Sequence, residues 1–80
     1  MELRALDASE LEVLGLYANG QSTEEIGARL QIHKSVVQDR LRVAVRKLGA
    51  ANRVHAVAIA VERNIIKLDR GFRQPDAPGA

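Results

Sequence analysis

Apolar positions in this chain recur at intervals of three and four residues, the period of a helix with one buried face, and no segment alternates as a strand would. Four helices follow, each with its own start and stop. The first is predicted from Asp7, an N-cap with Glu10 three residues on, which makes a capping box. Leu6 and Leu11 flank it as a hydrophobic staple, and Leu11, Leu14 and Ala18 share a face with help from Tyr17. Asn19-Gly20 ends this helix. A second capping box, Ser22 with Glu25, opens a helix running to about Gln31, with Ile26 and Leu30 on its inner side. Gly27 in its middle costs about 1 kcal/mol relative to alanine. That cost points to the close approach of another helix.

The third helix spans about 34–48 and stops at Gly49. The fourth starts at Asn52 and runs to about Asn64, or on through "IIKL". Only "QIH" separates helices 2 and 3, and so short a link between short helices is the helix-turn-helix arrangement. An all-α, four-helix domain is therefore expected over residues 7–66, with 1–6 as a lead and 67–80 as a flexible tail rich in proline and small residues.

The third helix has two unlike sides. Val37, Leu41, Ala44, Val45 and Leu48 make a core stripe. Ser35, Gln38, Asp39, Arg42 and Arg46 lie opposite, and Lys34, Arg40 and Lys47 lie between, placed to reach sideways. A helix in a DNA major groove needs this layout, with short polar groups and arginines toward base edges and long cations toward phosphates. A solvated surface helix satisfies the same pattern.

Helix 4 is apolar on two sides. Val54, Val57, Ala58, Val61 and Ile65 form one stripe, and Ala56, Ile59, Ala60 and Ile66 another. A helix apolar nearly all round must be covered nearly all round, which a domain this small cannot do alone. One stripe is expected to face the core and the first-named stripe a second copy of the chain. The alternative is that "IIKL" folds back over the exposed stripe.

Composition narrows the function. Eighty residues hold one small domain. With no cysteine and two histidines, no disulfide, thiolate metal site or structural zinc site is expected. There is no nucleophile–base pair and no phosphate-cradling glycine loop, so no enzyme and no cofactor are expected. Glu10, Glu12, Glu24 and Glu25 read as helix-start or solvent-face charges, and His55 as a surface or dimer-rim residue. No apolar run reaches membrane length and no leader peptide is visible, which points to a cytoplasmic protein. The net charge of +2 hides a polarity: residues 34–53 carry six basic groups against one acid, and residues 1–33 two against six. A basic middle in a small domain suits an anionic partner.

The passages "ELEVL", "GQSTEEI", "RKLGAANR" and "AVAIA", spaced across residues 6–62, resemble the LuxR-type (GerE-like) DNA-binding domain of bacterial transcription regulators. The resemblance implies a helix-turn-helix domain with helix 3 in the major groove of double-stranded DNA, helix 2 crossing the backbone, and helix 4 supporting a homodimer on inverted half-sites. By position it implies base contacts from Gln38, Asp39 and Arg42. It also implies backbone contacts from Ser22, Thr23, Lys34, Ser35, Arg40, Arg46 and Lys47.

The chain departs from the family's pattern in three places. Val36-Val37-Gln38 stands where Thr-Val-Lys is usual, His33 where Ser or Thr usually caps helix 3, and Asp7-Ala8-Ser9 where Thr-Pro-Arg is common. These put the usual operator preference in doubt, and they leave His33 either as a weaker cap or as a residue facing phosphate. Family members usually carry a sensing domain ahead of this one. With six residues before helix 1 none is expected in this chain, which is either a stand-alone regulator or a C-terminal domain.

Two functional classes remain. The first is a sequence-specific DNA-binding regulator. The second is a protein-interaction module of the same fold, acting on RNA polymerase, a sigma factor or another regulator. Within the first, Arg42 either pairs bidentately with guanine or holds an i, i+3 ion pair with Asp39 worth about 0.2–0.5 kcal/mol. Gln38 either reads adenine or is solvated. Asp39 either accepts from cytosine N4 or positions Arg42.

Overall fold

The computed structural model describes residues 6–68. Within them the chain forms α1 (Ala8–Ala18), α2 (Thr23–Leu30), α3 (Lys34–Lys47) and α4 (Arg53–Glu62), with no strand among the described residues. The lead's residues 1–5 and the tail's residues 69–80 lie outside the described residues.

Both capping boxes form. The Asp7 carboxylate accepts from the Glu10 N–H at 2.9 Å and the Glu10 carboxylate accepts from the Asp7 N–H at 3.0 Å. Ser22 and Glu25 exchange the same bonds at 3.0 and 2.8 Å. Each helix then closes in one way. A residue with left-handed backbone follows it, namely Gly20, Gln31, Gly49 and Asn64. The next N–H turns back to a carbonyl five residues earlier, Gln21 to Leu16, Ile32 to Gly27, Ala50 to Val45 and Ile65 to Ala60. This closure satisfies the carbonyls that a helix end leaves open.

The core is aliphatic. Val13 and Leu14 of α1, Ile26 of α2, Val37, Leu41 and Ala44 of α3, and Ala56 and Ala60 of α4 are essentially inaccessible, with Leu48 and Ile66 completing the cluster. The α3 stripe matches the expected one except that Val45 sits at its edge, half-buried. In α1 the deepest side chains are Val13 and Leu14, while Leu11, Tyr17 and Ala18 are half-buried around them.

Gly27 does meet a close approach. A Cβ there would stand 2.7 Å from the Ile32 carbonyl oxygen. The tightest neighbour is the turn's own backbone, and the N of Lys34, first residue of α3, follows at 3.5 Å, so the glycine lets α2 and α3 join through three residues.

The C-terminal "IIKL" does not prolong α4. The chain turns at Asn64, buries Ile66 with Ala56 and Ala60, and lets the Lys67 carbonyl accept from Asn19 Nδ2 at 3.4 Å. The fold-back thus lies on the core side and leaves Val54 three-quarters exposed. Ile65, expected on the same stripe as Val54, lies past the turn and is half-buried.

Candidate nucleic-acid interface

α3 begins at an unusual cap. His33 Nδ1 accepts from the Ser35 N–H at 3.0 Å, and Ser35 Oγ lies 2.9 Å from the same nitrogen. The imidazole supplies the cap that serine or threonine would supply elsewhere.

Asp39 and Arg42 lie one turn apart on the outer strip, each side chain 65% exposed, with Arg42 Nη1 3.3 Å from Asp39 Oδ1. Gln38 is half-buried and projects less than they do. Lys34 Nζ stands 3.4 Å from Glu24 Oε2 of α2, both exposed. Arg46 is exposed and makes no ion pair among the described residues. Ser22 Oγ accepts from the Glu25 N–H, which leaves its own hydrogen free to donate, and Thr23 beside it is half-buried.

Two of the expected backbone-contact residues face the other way. The Lys47 ammonium donates at 2.8 Å to Glu10 Oε1, whose side chain is only 9% exposed. That same oxygen takes the Asp7 N–H, so Glu10 is the helix-start charge of the two alternatives, buried and doubly bonded. Arg40 Nη1 donates to Ser9 Oγ of α1 and is half-buried. The reason is geometric. α1 packs along the flank of α3 that carries positions 40 and 47, about two turns apart, and offers polar groups there.

Sequence reading also passed over Arg53. Its guanidinium lies 5.6 Å from the centre of the Tyr17 ring, joining the start of α4 to α1 by a cation–π contact. His55 Nδ1 accepts from the Ala51 N–H at 2.9 Å and so braces the turn between α3 and α4. A shallow groove beside Arg42 is lined by Val45, Asn52, Arg53 and Val54. Among the described residues no group of three or more His, Cys, Asp or Glu side chains is placed to hold a metal ion, and no helix is long and apolar enough to cross a membrane.

The helix that follows the three-residue turn thus carries its own cap and an exposed strip with both signs of charge. Comparison with known proteins gives it a family. Residues 5–60 match the model of the bacterial regulatory proteins, luxR family. The chain is 44% identical over 61 residues to the transcriptional activator protein BjaR1 of Bradyrhizobium diazoefficiens, covering 76% of this chain and 25% of that protein. It is 44% identical over 54 residues to the response regulator RamR of Streptomyces coelicolor, covering 68% and 27%. To the transcriptional regulatory protein DesR of Bacillus subtilis it is 33% identical over 66 residues, covering 82% and 33%. The chain thus spans between a quarter and a third of the length of these relatives. With four helices in the expected order and a family match over most of its length, the chain belongs to the luxR family of bacterial regulatory proteins and carries that family's all-α helix-turn-helix domain.

Proposed function

We propose that this domain regulates transcription by binding double-stranded DNA sequence-specifically, with the outer strip of α3 in the major groove. One observation carries the reading. α3 buries Val37, Leu41, Ala44 and Leu48 and leaves Lys34, Ser35, Asp39, Arg42 and Arg46 in solvent, so a rigid helix presents hydrogen-bonding groups outward. A helix fixed by its core stripe loses little freedom on docking, and its exposed groups match what base edges and phosphates ask for.

In this arrangement Arg42 and Asp39, with Gln38 at the edge of the strip, face bases. Lys34, Ser35 and Arg46 reach phosphates on either side. Ser22 and Thr23, at the N-terminus of α2, meet the backbone where a helix start favours an anion. Arg40 and Lys47 act one step back, holding α3 against α1 so that the strip keeps its aim.

α4 supplies the contact to a second copy through Val54 and Ala58, which are exposed, flanked by the half-buried Val57 and Val61. Ile65 contributes at most from beyond the turn. Two small exposed side chains fall well short of the roughly 800 Å² per partner of a stable interface. The dimer is therefore one that forms on DNA, with inverted half-sites supplying the rest of the free energy. Sedimentation of the chain alone should show a monomer, and the chain with a two-half-site duplex should show two copies bound.

The deciding experiment is binding of the full chain to duplexes selected from random DNA, followed by fluorescence anisotropy over a range of salt. Log K should fall linearly with log[salt] by about 0.9 per phosphate neutralised. A flat dependence, or no enrichment over random sequence, would overturn the reading.

A further inference from the structure

We propose that Asp39 and Arg42 form one reading unit, which requires a guanine with an amino-bearing base, cytosine or adenine, at the neighbouring step, and which also suppresses binding to other DNA. The inference rests on the DNA-binding reading above and deepens it by naming the class of site.

Asp39 is the acid of α3, and it stands in the centre of the strip that faces outward. Glu24 of α2, also exposed, is turned to Lys34 at the strip's end. A carboxylate in that central place has few acceptable neighbours in a duplex. Phosphates repel it, and guanine O6 and N7 and thymine O4 are all acceptors like itself. The amino groups of cytosine and adenine are the donors that the major groove offers.

The contact to Arg42 leaves both partners able to read. The guanidinium has five N–H donors, and Asp39 Oδ1 engages one nitrogen, Nη1, at 3.3 Å. The Nε–Nη2 edge keeps the fork that matches guanine O6 and N7. Asp39 Oδ2 remains free to accept. Three residues advance about 4.5 Å along a helix, close to the roughly 3.4 Å between successive bases on a strand. The two side chains thus address adjoining steps.

The same pairing restrains non-specific binding. Arg42 held by Asp39 is less available to phosphates, and the carboxylate adds repulsion wherever no amino group meets it. Of the cations on α3, Lys47 and Arg40 are bonded to α1 and Lys34 lies against Glu24. Arg46 is the exposed α3 cation without an ion pair among the described residues. The strip is consequently poor in free positive charge, and Asp39 keeps it so.

The test uses the full chain as wild type, Asp39→Ala and Arg42→Ala, each on its selected duplex and on random-sequence duplex across a salt series. Wild type should select a half-site holding a guanine beside an amino-bearing base. Asp39→Ala should keep the guanine but accept any base beside it. It should bind random DNA about three- to tenfold more tightly, with a salt slope steeper by about 0.9 per domain. Its preference for the selected site over random DNA should fall about tenfold.

Because Asp39 is exposed, its melting temperature should move by no more than about 3 °C, as expected for loss of a surface i, i+3 pair. An Asp39→Ala variant with the wild-type base preference and the wild-type affinity for random DNA would overturn the inference while leaving DNA binding intact. A wild-type chain that selects no site would instead overturn the reading on which it rests.

Discussion

The two flanks of α3 carry the same kinds of residue and do different work. On one flank Arg40 and Lys47 are drawn onto α1, to Ser9 and to the buried Glu10. On the other, Arg42 and Arg46 remain in solvent, Arg42 with an exposed carboxylate beside it. All four are cations within about two turns of one helix. What distinguishes them is whether α1 passes alongside. A count of basic residues over 34–53 therefore overstates the charge that the domain can offer to an anion, because part of that charge holds the fold together.

Substitutions can separate the flanks, and the largest effect belongs to the inner one. Glu10→Ala removes the capping box of α1 and leaves the half-buried Lys47 without its carboxylate. Breaking a fully buried pair costs about 3–5 kcal/mol; Lys47 can still swing toward water, so about 2 kcal/mol is expected. In a domain this small that lowers the melting temperature by roughly 10 °C, read by circular dichroism. A change below about 3 °C would mean that the inner flank is no more structural than the outer.

Arg42→Ala inverts the pattern. It should cost about 1–3 kcal/mol of discrimination at one base position while the melting temperature stays within about 3 °C of wild type, because only an exposed pair is lost. Anisotropy on selected and mismatched duplexes reads the first quantity and thermal unfolding the second.

The most direct comparison pairs Arg46→Met with Lys47→Met, neighbours in sequence. Arg46→Met should reduce the salt slope by about 0.9 and leave stability alone. Lys47→Met should leave the slope unchanged and lower the melting temperature. Equal slopes for the two variants would erase the distinction between the flanks. The smallest effect is that of Ser9→Ala, which takes a single hydrogen bond from Arg40 and should cost about 1 kcal/mol. It should bring no change in base preference.

Much of this could be read along the chain because it is local. Asp7 with Glu10 and Ser22 with Glu25 are capping boxes by spacing alone, and they form. The stripe of Val37, Leu41, Ala44 and Leu48 follows from helical period, and it is the core. The three-residue link and the luxR family membership were legible in the same way. Harder to read were the caps that break the usual preferences, His33 in place of a hydroxyl and Gln31 in a left-handed conformation at φ 60°.

The sequence by itself determined where the helices start and stop and which stripe α3 buries, since these depend on residues no more than one or two turns apart. Only the tertiary structure decided the fate of the individual charges. Glu10 and Lys47 are 37 residues apart and Ser9 and Arg40 are 31 apart, and no periodicity within either helix encodes that they meet. The return of Ile66 to the core is a decision of the same kind. It depends on a core that exists only after the helices are packed.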